Sequence, residues 1–331
     1  MLFRSATLAA QIRPRFHCSL GEMRKALGER TGMRRKWLPI GGLLLLSLLW
    51  AVGWVRADLS PGSGAALRLS PLWSQTGLLG IFAGLAGMAA IARNRRWPER
   101  RAAGTAVFIG FGMFVLPTVV VTLAAEWIDD ATRAALFSVT PVFAVVFEPY
   151  LGAGVNQARG SFPAAMMAVA GTLLVFPVDL PNSDTSAFAF VGVVIAAVSV
   201  AAANCVAVRE LKGGNRSALW FAAVASGSAA CLIAMIMLLF RERAASSVRV
   251  GIWTLADLLA MALLFWLMPR MSAIQMTTRF VIAPLMANLV SLAVLRPHVQ
   301  LQSWIGLFLI ALGSGWLLVG PSDTQRSKVV P

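Results

Sequence analysis

Histidine, cysteine and charge are scarce in this chain. Its 331 residues include two histidines, His17 and His298, and three widely separated cysteines, Cys18, Cys205 and Cys231. No C-x-x-C pair occurs, so neither a zinc site nor a disulfide framework has sequence support. A metal- or thiol-dependent enzyme is hard to build from so few imidazoles and thiols, and no metal or cofactor is expected. A Walker-type glycine loop is also missing, which argues against direct coupling to ATP. Only 13% of residues are charged, and these cluster between long uncharged runs.

What is abundant is apolar surface. Hydrophobic residues make up 58% of the chain and the mean hydropathy is +0.75, more than a water-soluble domain uses. The pattern describes an all-α integral membrane protein crossing the bilayer many times. Its net charge of +15 does not indicate nucleic acid, because the arginines and lysines sit in connections, where they orient a membrane protein.

Apolar runs of membrane-spanning length fall at 38–55, 72–92, 104–125, 131–152, 162–178, 186–207, 218–240, 250–268, 271–295 and 301–320. Residues 1–37 carry nine Arg and Lys against Glu22 and Glu29. They read as a basic cytoplasmic tail, with a mis-assigned start before Met33 or an organelle transit peptide as other readings. With the N-terminus inside, 21 basic residues lie on the cytoplasmic side and seven on the other. Both termini, including the tail 321–331, are therefore expected in the cytoplasm. The loop with Arg241, Arg243 and Arg249 goes against this bias.

The chain repeats itself. Shifting it by 143 residues lays Phe137-Ser-Val-Thr-Pro141 over Phe280-Val-Ile-Ala-Pro284. Ala168-Val-Ala-Gly171 then falls beside Ile310-Ala-Leu-Gly313. The fourth and fifth spans thus match the ninth and tenth. An offset of five spans reverses orientation, so residues 38–178 and 186–320 are expected to form two inverted five-helix repeats, an arrangement many secondary transporters use. Pro141 and Pro284, at matched places, are candidate hinge or cavity-wall residues. Thr140 and Ser138 stand where they can satisfy a carbonyl freed by Pro141.

Several segments carry a family likeness. Leu44-Leu-Leu-Ser-Leu-Leu-Trp50 resembles the first helix of EamA-type members of the drug/metabolite transporter superfamily. Ala134-Ala-Leu-Phe-Ser-Val-Thr-Pro141 resembles their fourth helix, and the stretch from Ala283-Pro284 to Gly313 their ninth and tenth. The resemblance covers residues 38–320. It implies ten helices in two inverted repeats and transport of small organic solutes, often by export, across the bacterial inner membrane. The chain departs from the family where many members carry a glycine-glutamate pair after the fourth helix and an acid after the ninth. Here those places read Leu151-Gly-Ala-Gly and Leu295-Arg-Pro-His.

Charges inside spans are the first candidates for a substrate pathway, since each costs about 2.5–3.5 kcal/mol at the bilayer centre on insertion scales. Glu148, Asp257 and Arg279 qualify. Asp257 and Arg279 differ in depth by about 8 Å on consecutive antiparallel helices, so an Asp257–Arg279 pair is expected, with either a structural or a substrate-binding role. Glu148, near the cytoplasmic end of its span, is expected to snorkel to water. Gln275 shares a helical face with Arg279, and Asn288 lies nearly opposite. Trp50 and Asn204 complete the pathway candidates, with Trp54 and Trp253 as interfacial anchors. Gly77, Gly80, Gly84 and Gly87, with Ala222, Ser226 and Ala230, are read as close-packing faces. The expected partners are a small-molecule substrate and the lipid bilayer, not nucleic acid, and a homodimer is left open. The reading from a different class is a membrane enzyme acting on lipid head groups at Glu126, Asp129 and Asp130. A transport-inactive sensor of the same fold is a third.

Overall fold

The structure, a computed structural model, describes residues 37–52, 70–95, 97–151, 155–213, 217–240, 252–295 and 300–320. The chain divides into two compact units, Met1–Gly42 and Leu43–Pro331. Of the first, only residues 37–42, the start of the helix Trp37–Val52, are described, and the site described below lies in the second. The basic tail, the C-terminal tail, the loop with Arg241, Arg243 and Arg249, Trp54, and both histidines lie outside the described residues, as does the side chain of Trp253.

The described residues are mostly helical, with no strand among them. We label the helices α1 (Trp37–Val52), α2 (Ser70–Ala92), α3 (Arg100–Ala124), α4 (Asp130–Leu151), α5 (Val155–Val175), α6 (Asp184–Lys212) and α7 (Ala218–Leu239). They continue with α8 (Ile252–Leu267), α9 (Ala273–Thr277 joined to Arg279–Leu295) and α10 (Leu301–Val319). Seven of these are long and apolar enough to cross a membrane: α2, α3, α4, α6, α7, α9 and α10. The shorter apolar helices are Trp37–Val52 of α1, Gly160–Val175 within α5 and Thr254–Leu267 within α8. Large apolar side chains such as Ile91, Leu238 and Phe308 point outward, each more than 60% exposed. Such a surface suits lipid and would be an aggregation hazard in water. This is a membrane protein.

Caps set several starts. Asp129 accepts from the amides of Ala131 and Thr132 at the head of α4, and Ser183 forms a reciprocal capping box with Ser186 at the head of α6. Ser272 and Gln275 do the same for α9. These bonds satisfy amides that a helix start leaves without intrahelical partners.

Helix irregularities follow from proline chemistry. In α3 the backbone widens into a π turn at Phe111–Val115, just ahead of Pro117. In α4 the helix pauses at Ser138 and Val139 and restarts at Thr140, so Pro141 sits in a first turn where its missing N–H costs little. The carbonyl of Phe137, four residues before Pro141, accepts instead from Thr140 Oγ1 at 2.5 Å. Ser138 Oγ donates to the Ala135 carbonyl. Pro284 differs: it lies inside Arg279–Leu295, and α9 breaks at Thr278. The two prolines are matched in sequence but not in their place relative to the break.

Close approaches occur where glycine removes a side chain. A Cβ at Gly171 would sit 2.7 Å from the Gly306 oxygen and 2.8 Å from the Ile310 nitrogen. One at Gly313 would sit 2.7 Å from both the Ala164 oxygen and the Ala168 nitrogen. Gly171 and Gly313 are 142 positions apart, and so are Ala164 and Gly306, and Ala168 and Ile310. The contacts of α5 on α10 and of α10 on α5 are therefore reciprocal. Gly110 of α3 is similarly pressed against the Ala225 backbone of α7. By contrast, Gly77, Gly80 and Gly84 of α2 meet nothing within 4 Å, and Gly87 makes only ordinary contact with α7. The face of α2 that meets α7 is that of Ala83 and Gly87, and Gly77, Gly80 and Gly84 do not contribute the close approach expected of them. Ala222, Ser226 and Ala230 of α7 are buried as expected.

Candidate functional site

A cavity of about 580 Å³ lies among α1, α3, α4, α5 and α9. Its walls divide by chemistry. Trp50, Phe137, Phe176 and Phe280 supply aromatic faces, while Ala134, Ala283 and Ala287 keep the space open. Asp130, Arg133, Asn288 and Ser291 add polar groups. Asp130 is 84% exposed and marks the solvent end. Arg133 pairs with Asp130 and donates to the Val121 carbonyl at 3.0 Å, tying α4 to α3. Asn288 donates to the Pro284 carbonyl one turn back, at 3.0 Å.

The aromatic part is built from residues that the 143-residue shift superposes. Phe137 and Phe280 stack with ring centres 6.0 Å apart and planes 27° apart. Trp50 packs against Phe280 with ring centres 5.9 Å apart. Beyond this layer α4, α5, α9 and α10 close on one another through Val145, Ala164, Ala165, Ile274 and Leu317. The cavity is thus stopped at its apolar end.

Arg279 lies just behind the aromatic layer and is 1% exposed. Its guanidinium carbon is 4.7 Å from the Phe280 ring centre and 5.3 Å from that of Trp50. Nη1 donates to Asn204 Oδ1 at 3.2 Å and to the Met276 carbonyl at 2.9 Å, and Nε has no hydrogen-bond partner among the described residues. Asn204 is itself fully buried and is fixed by donation to the Val200 carbonyl at 2.7 Å. Removing a cation from water costs several kcal/mol after relaxation. A hydrogen bond to a charged group returns about 1.5–3 kcal/mol, and a desolvated aromatic face about 2 kcal/mol. The neutral groups around Arg279 offset much of the burial but leave the Nε–H without a partner among the described residues.

Three of the expected pathway residues, Arg279, Asn204 and Trp50, therefore meet in one cluster. The others do not join it. Asp257 is exposed, in the N-terminal half of α8, and among the described residues the groups that take up the guanidinium are Asn204 and Met276 in place of the expected Asp257. Matching two residues in depth says nothing of their angular position around each helix. Gln275 accepts from the Ser272 amide and donates to the Leu318 carbonyl of α10 at 3.0 Å, so its polar atoms serve a cap and a helix tie. Glu148 is buried, 6% exposed, instead of reaching water. Pro141 and Pro284 are buried and stand outside the cavity lining. The acidic group near α4 is occupied locally, with Asp129 capping the helix and Asp130 paired to Arg133.

Arg133, Phe176 and Ser291 line the cavity but were not marked by the sequence. Arg133 reads there as one more connection charge, and Phe176 and Ser291 as apolar-span filler. The signal that was present concerns Phe137 and Phe280, which the repeat aligns.

No family model and no curated protein matches the chain. Solved structures do. One, described only as the crystal structure of a protein, superposes with a TM-score of 0.63 at 16% identity, over 84% of this chain and 98% of its own length. At that identity the likeness is one of fold alone.

Proposed function

We propose that this chain is a secondary transporter that moves small organic solutes, such as metabolites, amino acids or drugs, by alternating access. In this reading it has ten transmembrane helices arranged as two inverted five-helix repeats of the EamA type. It lies in the bacterial inner membrane with both termini in the cytoplasm. The observation that carries the reading is the pairing of Phe137 with Phe280 at one end of a cavity that is stopped beyond them. A two-fold axis relating inverted repeats brings each residue on the axis against its own counterpart. The reciprocal contacts of Gly171 and Gly313 support the same axis, because an interface between equivalent elements repeats each contact in reverse.

Placed in the expected orientation, the Asp130 end of the cavity faces away from the cytoplasm and the Val145–Ile274 closure faces it. Rocking one repeat against the other would exchange the two ends around Phe137, Phe280 and Arg279. Cells overproducing the chain should place one solute or a small related group in the medium above the level of vector controls, as measured by mass spectrometry. Identical media and identical intracellular pools under both conditions would count against transport.

A further inference from the structure

We infer that the ligand of this cavity is a singly charged carboxylate with an apolar body, and that Arg279 is the group that receives the carboxylate. The inference rests on the transporter reading for why a ligand enters, and adds its chemical class.

Three features combine. Arg279 is a cation almost wholly removed from solvent, yet the acceptors it uses among the described residues, Asn204 Oδ1 and the Met276 carbonyl, are neutral. Its Nε–H is buried and unpartnered. A buried positive charge satisfied only by neutral groups is completed by an anion, and a guanidinium offers a planar fork suited to a carboxylate. Second, the rings of Trp50 and Phe280 overlie the guanidinium, and both rings also line the cavity. In this proposal a rotation of one of these rings brings Arg279 into the cavity. Third, Arg133, which does line the cavity, has an unpartnered Nε as well but already holds a carboxylate partner in Asp130 and a carbonyl in Val121. One uncompensated charge calls for one negative charge. A phosphate monoester, close to doubly charged at neutral pH, would leave an excess. The aromatic walls from Trp50, Phe137, Phe176 and Phe280 provide the surface for an apolar body.

Isothermal titration of the full chain in lipid nanodiscs tests this with three probes: 3-phenylpropanoate, its neutral amide and phenyl phosphate. The carboxylate is expected to bind at least about tenfold more tightly than the amide, the scale expected when a desolvated charge pair loses one partner, and more tightly than the phosphate. Arg279→Gln should abolish the difference between carboxylate and amide, and Arg279→Lys should keep part of it. Should these variants misfold, Trp50→Ala retains the cation and removes one covering ring. Because both probes share the apolar body that Trp50 touches, the variant should raise the association rate of the carboxylate relative to that of the amide. Tighter binding of phenyl phosphate would replace the carboxylate class. Equal binding of carboxylate and amide, or no carboxylate binding at all, would overturn the proposal. Equal binding would leave a small-molecule cavity, and the transporter reading, in place. A preference for the carboxylate that survives Arg279→Gln would also overturn it.

Discussion

Asp129 shows how much a single carboxylate can do at the start of a helix. Burial alone would raise its pKa, but hydrogen bonds from the Thr132 side chain and from the amides of Thr132 and Ala131 more than offset this and hold it below the ordinary value of 3.8. A carboxyl whose folded pKa is depressed adds stability above its unfolded value, and that contribution is lost as pH falls through the folded one. Asp129→Ala should therefore lower stability by about 1 kcal/mol at neutral pH. In thermal unfolding of detergent-solubilised protein, the gap between wild type and variant should close as the pH drops below 3.8. A gap that persists in acid would mean the side chain acts by packing. Residues of this kind are only partly legible in sequence. Arg279, Asn204 and Trp50 stand out because polar and bulky groups at membrane depth need a reason. Gln275 stands out equally, yet its amide is used to cap α9 and hold α10. A polar atom's partner decides its role, and the sequence does not show the partner.

For the helices, lipid explains both what could be read and what could not. A span must be long and apolar whatever it packs against, so most helix positions follow from composition. Facing does not, because a helix bounded by lipid is apolar all round and offers no polar side to orient it. The glycines illustrate this. Four in α2 have the spacing of a packing face, and three of them meet open space; Gly171 and Gly313 press on the backbone of a neighbour. Gly171→Ala and Gly313→Ala should each cost about 1–3 kcal/mol, since the clash is with main chain and the helices must separate. Gly77→Ala and Gly84→Ala should be neutral or slightly stabilising, because alanine is the better helix former. Unfolding midpoints in one detergent would compare all four. Equal effects at the two pairs of sites would remove the close contact of α5 with α10 from the account. The break in α4 was legible in another way. Pro141 announces a missing N–H, and Thr140 beside it supplies the donor to the Phe137 carbonyl.

At the scale of the whole molecule, the internal repeat carries more than any single motif. It aligns Phe137 with Phe280 before any geometry is known, and those rings lie against each other in the folded chain. What it does not give is the cavity, which depends on how the helices rotate, and which brings in Arg133, Phe176 and Ser291. Alternating access requires that a residue beside the aromatic layer meet water from either side of the membrane in turn. Ala283 on α9 lines the cavity next to Phe280. The direct test is to place Ala283→Cys in a chain whose own cysteines are changed to serine, and to measure its reaction with a charged, membrane-impermeant maleimide. Right-side-out and inside-out vesicles are compared. The account predicts modification from both sides, at different rates. Modification from one side alone, with the other at the level of the cysteine-free chain, would contradict it.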